Sequence, residues 1–137
     1  YLTTDIIVGF GDENEESFLK TYQLLKEIQF NQVFVAYYSE RPYTPASISI
    51  PDKVAINTKI ERKNKIRTLT EKIYACKNKK LVGKIVPCRS HDNHRGITYS
   101  NQYVELDQIP QELVGKLISI KITYGGRYGI KGKLVFV

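Results

Sequence analysis

Near residue 81 the apolar residues of this chain change their spacing. Before that point they recur at three- and four-residue steps, interrupted by short β-branched runs. After it they recur at every second residue. A period near 3.6 buries one stripe of a helix, and a period of two buries one face of a strand. Neither segment can adopt the other's structure without exposing its apolar side. The chain therefore reads as a mixed α/β front followed by an all-β back. Its 137 residues leave room for one domain or two small ones.

The front opens on TTDIIVGFGDENEESF, residues 3 to 18. Ile6, Ile7, Val8 and Phe10 run together, as in a parallel strand covered on both faces. A strand is expected over residues 3 to 10. Gly9 and Gly11 then permit a tight turn or the close approach of another group. Asn14 is an N-cap candidate, and the acids around it suit the positive end of a helix dipole. Phe18, Tyr22, Leu25 and Ile28 form one stripe of a helix that should end near Gln29. Residues 33 to 38, VFVAYY, predict a second strand. Together these make a right-handed βαβ unit with parallel strands, whose C-terminal strand ends are the usual ligand side. SERPYTP, residues 39 to 45, reads as a proline-stiffened loop. Residues 53 to 80 hold ten Lys or Arg against Glu61 and Glu71. Their stripe of Ile56, Ile60, Ile66, Leu69 and Ile73 predicts a long basic helix.

In the back, LVGKIVPC (81–88), GITYSNQYVEL (96–106), LISIKITY (117–124) and KGKLVFV (131–137) are strand candidates. Ile118, Ile120 and Ile122 share one face. Short strands in so little chain predict a small closed antiparallel barrel, with IPQELVG (109–115) crossing one end. The glycine-rich YGGRYGIKGK (124–133) places Arg127, Lys131 and Lys133 beside Tyr124 and Tyr128. Such interleaving can hold RNA by phosphate contact and base stacking; it also fits a β-turn with incidental charge.

Charge divides the same way. Residues 1 to 52 carry eight acids and three bases, a net −5, and residues 53 to 137 carry eighteen bases and six acids, a net +12. A basic back half points to a polyanionic partner. No run of about 18 apolar residues is present, so no membrane span is expected. The only cysteines, Cys76 and Cys88, make no CxxC pair, which points to a reducing, cytoplasmic setting. The start at Tyr1, leading straight into a strand, suggests a piece of a longer protein. Cys88, His91 and His94 form C-x-x-H-x-x-H, but no fourth ligand has suitable spacing, so an exposed loop is the better reading. GFGD lacks both GxGxxG and a P-loop lysine.

These pieces together resemble the C-terminal part of a radical S-adenosylmethionine methylthiotransferase. In that family the first stretch reads TD-x-IVGFPGET-x-x-x-F, and a second reads YS-x-RPGTPAA, as FVAYYSERPYTPAS nearly does here. The final module is similar to a TRAM domain, through GITYSNQYVEL, LVGKLISIKIT and GIKGKLV. The chain departs at Gly11-Asp12, where the family has Pro-Gly, at Tyr43, where it has Gly, and at Ile97, where it has Arg.

The resemblance implies an architecture and a partner. Residues 1 to 52 would be the end of an incomplete TIM-like barrel, 53 to 78 a basic linking helix, and 79 to 137 an OB-like RNA-binding barrel able to fold alone. Gly9, Phe10, Glu13, Ser39, Arg41 and Thr44 fall on cofactor-side motif positions, with Pro42 and Pro45 beside them. Arg89, Arg95, Lys121, Arg127 and Lys131 are the expected phosphate contacts, with Tyr128 as a stacking partner. The full-length parent would use S-adenosylmethionine and two 4Fe-4S clusters to methylthiolate a modified adenosine beside the anticodon of tRNA, as a monomer. The CxxxCxxC motif for the radical-generating cluster is absent here, so this piece alone should be inactive, with no catalytic residue and no metal site of its own. A ribosomal-protein methylthiotransferase and a non-catalytic RNA-binding module are the alternatives.

Overall fold

The computed structural model describes residues 1–135 and divides into two compact units, Leu2–Glu71 and a second formed by Tyr1 with the residues from Lys72 onward.

In the first unit, β1 (Thr3–Val8) and β2 (Gln32–Tyr37) form a two-stranded parallel sheet, joined through α1 (Glu15–Ile28). Asn14 caps α1, its side chain accepting from the Ser17 N–H at 2.8 Å, and Gln29 ends the helix in left-handed conformation. Both ends fall where the sequence places them. Val8, Phe18, Leu25 and Ile66 are buried together, flanked by Ile6, Val33 and Val35. The expectation that β1 is covered on both faces is corrected. Ile7 is 61% exposed and Phe34 55% exposed, because the sheet has two strands and is packed on one face only. Phe10, read as strand, lies beyond β1 in the turn.

The loop after β2 does not remain irregular. Pro45 starts a short helix, α2 (Pro45–Ser49), and Thr44 and Ser47 cap each other's backbone reciprocally. α3 (Ile56–Lys79) is the long basic helix. Its residues through Glu71 belong to the first unit and those from Lys72 to the second. The expected stripe needs correction at its start: Ile56 and Ile60 are exposed, whereas Lys59 and Arg62 are buried.

The second unit is a closed barrel of β3 (Ile85–Ser90), β4 (Arg95–Thr98), β5 (Tyr103–Leu106), β6 (Leu117–Gly126) and β7 (Gly129–Leu134), in the order β3-β4-β5-β7-β6. GITYSNQYVEL supplies two of these strands and the turn between them. The barrel is not wholly antiparallel as expected, since β5 and β7 pair in parallel. The reason is parity: a ring of five strands cannot alternate direction at every neighbour. Cys88, Val104, Leu106, Ile118, Ile120, Ile122 and Ile130 fill the interior, with Ile109 from the stretch before a 3-10 turn (Gln111–Leu113). On α3, Asn78 is buried against the barrel, its Nδ2 donating to the Gly126 carbonyl at 2.7 Å and its Oδ1 accepting from Gln102 at 2.8 Å. The strand expected over 131–137 ends at Leu134, and its last two positions lie outside the described residues. No helix among the described residues is long and apolar enough to cross a membrane.

Candidate functional site

Each unit carries a group of the singled-out residues, and each group follows from local structure.

On the barrel, strand alternation sends Ile and Val inward and their neighbours outward. The register aligns four outward residues from adjacent strands: Arg95 opposite Glu105, Glu105 opposite Lys131, and Lys131 opposite Tyr124. This row forms one wall of a surface groove of about 1050 Å³, which Tyr103, Tyr128 and Gln108 also line. Tyr128 is 85% exposed at the β6–β7 hairpin, with the Arg127 guanidinium 4.9 Å from its ring centre. Two cations here already have partners. Lys131 pairs with Glu105 at 2.8 Å, and Arg95 with Asp92 at 2.8 Å. Bonding to Glu105 pushes the Lys131 ammonium up, and the His94 backbone N–H holds the Asp92 carboxyl below its usual range, aided by Arg95. Both pairs are solvent-exposed and therefore weak, so a phosphate can compete for these cations at small cost.

At the carboxyl ends of β1 and β2, two buried cations organise the turns. Gly9 has φ +75, and a Cβ added there would collide with the Lys59 side chain. The close approach at Gly9 is therefore made by a lysine of α3. Lys59 Nζ donates to Asp52 at 2.6 Å and to the Tyr38 carbonyl at 3.2 Å. Glu13 accepts from the Gly9 N–H at 2.8 Å and from Arg62 Nη1 at 2.9 Å, and Arg62 Nη2 reaches Glu15 at 3.2 Å. Phe10 packs edge-on to Tyr38 with 4.9 Å between ring centres. The acids after the glycines thus do more than suit the helix dipole, since Glu13 ties the turn to α3.

The comparisons with known proteins bear on both groups. A tRNA-2-methylthio-N(6)-dimethylallyladenosine synthase of Bacillus cytotoxicus is 36% identical over 98% of this chain, and one of Syntrophobacter fumaroxidans is 33% identical over the same share. Over nearly its whole length the chain is thus similar to a segment of these synthases. It spans 27% of the first relative's length and 30% of the second's, consistent with their C-terminal part. No protein-family model matches the chain.

The structure brings some of the singled-out residues together and separates others. Gly9, Phe10 and Glu13 share one turn, and Ser39, Arg41 and Thr44 share the loop after β2, so both sets lie at the same edge of the sheet. Phe10, Ser39 and Arg41 are exposed, while Glu13 and Thr44 are occupied with backbone and capping contacts. Arg95, Tyr128 and Lys131 meet in the barrel groove. Arg89 lies instead by a smaller groove with Ile97, Tyr99 and Leu117. Lys121 on β6 stands opposite Lys133 on β7.

Tyr103, Lys59 and Arg62 were missed by sequence reasoning. The alternation of YVEL marks Tyr103 as outward, whereas nothing local in a lysine-rich helix marks Lys59 and Arg62 as buried.

The resemblance implies iron–sulfur clusters, for which the two cysteines are the thiolate candidates of this chain. Cys76 is exposed on α3, and Cys88 lies inside the barrel, where burial pushes its thiol up to about 11. That favours a protonated, inert cysteine over the thiolate a cluster needs. Among the described residues, no three His, Cys, Asp or Glu side chains group into a metal site.

Proposed function

We propose that this chain is the C-terminal part of a radical S-adenosylmethionine enzyme that methylthiolates a modified adenosine of tRNA, and that its barrel, a TRAM domain, supplies RNA affinity. The observation that carries this reading is a closed barrel bearing a groove of cations and tyrosines, in a chain whose named relatives act on tRNA. Arg89, Arg95, Lys121, Arg127 and Lys131 contact phosphate in this reading.

The first unit contributes the end of a TIM-like wall on the cofactor side. Phe10, Ser39 and Arg41 offer exposed side chains for S-adenosylmethionine, while Gly9, Glu13 and Thr44 shape the turns that present them. When bound in the complete enzyme, that cofactor supplies the radical chemistry. The cluster ligands belong to other parts of the parent, so the segment alone transfers no sulfur. The setting is cytoplasmic, where tRNA is modified, and the protein works as a monomer.

Titration of an anticodon stem-loop with the 137-residue chain tests the RNA role. Affinity is expected to fall at least tenfold between about 50 and 200 mM salt as phosphate contacts release counterions. Binding that is absent, or indifferent to salt, overturns the reading.

A further inference from the structure

The barrel groove combines exposed aromatic rings with cations that already have carboxylate partners. Its two cations are paired with carboxylates, Lys131 with Glu105 and Arg95 with Asp92. The tyrosines present exposed ring surface: Tyr128 is 85% exposed, with the Arg127 guanidinium 4.9 Å from its ring centre, Tyr103 67% and Tyr124 48%.

Tyr124 owes its position to an irregularity. Alternation from Ile118, Ile120 and Ile122 would send it into the barrel. A bulge intervenes, since Ile122 pairs with Gly132 but Tyr124 with Lys131, leaving Thr123 as an extra residue. Tyr124 is thereby turned outward. Its phenol end lies over Gly126, where any Cβ would collide with it.

Elsewhere on the barrel wall, Lys121 and Lys133 stand directly opposite each other on exposed strand positions. Like charges so placed repel, and an anion between them relieves the repulsion. Neither lysine lines the groove.

Resting on the RNA reading above, we propose that the groove is a stacking subsite for unpaired bases, held chiefly by Tyr124 and Tyr128, while Lys121 and Lys133 take the phosphates. A base in a duplex has both faces covered by its neighbours and cannot use these rings. A looped-out or single-stranded base can. Recognition by the rings is then weakly dependent on salt, and the lysine pair contributes two of the phosphate contacts that make binding as a whole salt-sensitive.

The test uses the whole chain with two probes of matched length, an unstructured RNA oligonucleotide and an RNA hairpin with a minimal loop. The chain contains no tryptophan, so quenching of tyrosine emission reports stacking alongside affinity. The single strand is expected to bind roughly tenfold tighter than the hairpin stem. Tyr124→Leu and Tyr128→Leu should each weaken it by about five- to a hundredfold with unchanged salt slope, as expected for loss of one stacked base. Tyr124→Phe should bind as the parent does. Joint Lys121→Ala and Lys133→Ala should instead reduce the salt slope by about two, one per phosphate contact. Thermal melts matching the parent's establish that the variants are folded. Salt-sensitive binding of both probes with equal affinity, unchanged by the leucine variants, overturns the stacking subsite and leaves the RNA reading standing. Failure of both probes to bind overturns that reading, and the subsite with it.

Discussion

The two units solve the same burial problem by different means. The barrel pairs every strand edge with another strand and encloses an apolar core in which Cys88, Ile120 and Ile122 are at most 1% exposed. The α/β unit has a two-stranded sheet with one open face, carrying Ile7 and Phe34, and holds its turns with the buried cations Lys59 and Arg62. A closed ring leaves no free strand edge and needs no further partner. A short parallel sheet does not meet its own requirements, because parallel sheets are normally covered on both faces. The difference teaches that self-sufficiency follows from closure of the hydrogen-bonded ring more than from the length of chain available.

The largest test of this contrast compares one core position with one open-face position. Ile120→Ala should destabilise the barrel by about 2–5 kcal/mol, through lost burial and a residual cavity. Phe34→Ala should cost less, about 1 kcal/mol, since only about half of its ring is covered and no cavity is left. Chemical denaturation of the two variants checks both. A large loss from Phe34→Ala would show that the open face is not open.

Next in size is the ionic support of the first unit. Arg62 is 6% exposed and Glu13 15% exposed, so Arg62→Met strands a mostly buried carboxylate. The expected cost is about 3 kcal/mol. In contrast, Lys20→Met, which breaks the exposed pair with Glu16, should cost no more than about 0.5 kcal/mol. Hydrogen exchange resolved by residue should show the Arg62 effect in residues 2 to 71. Loss of protection spread equally over the barrel would break the division into two units.

The barrel in turn has a pH weakness at its core. Burial raises the Cys88 thiol from 9.0 to about 11, so the folded state favours the neutral form. That preference is fully present below pH 9 and is lost as pH rises toward 11, because the unfolded chain ionises first. The loss should be on the order of 1 kcal/mol after discounting for solvent and relaxation. Thermal melts between those limits should show the decline in the parent, and Cys88→Val should remove this part of it.

The smallest effect sharpens the view of the loop after β2. Tyr43 has φ +63 and is 97% exposed, so it holds a left-handed conformation with no packing to compensate. Tyr43→Gly should stabilise the first unit by up to about 1 kcal/mol. A loss of stability would mean that the tyrosine has a contact worth more than its strain.

Sequence alone determined the elements whose signal is local. The Asn14 cap, the end of α1 near Gln29, the parallel pairing of β1 with β2 and the alternation of Ile118, Ile120 and Ile122 all depend on residues close in the chain or on a fixed period. The motifs around Gly9 and Ser39 also carried the family resemblance. Tertiary structure alone decided which charges are buried and which rings face out. Lys59 and Arg62 look like any lysine or arginine on a basic helix until Asp52, Glu13 and the Gly9 turn meet them across the fold. Tyr124 continues the inward series in sequence, and only the pairing with β7 inserts the bulge that turns it outward. The parallel pair of β5 and β7 likewise arises from closing an odd number of strands, a constraint that belongs to the ring and is written in no single residue.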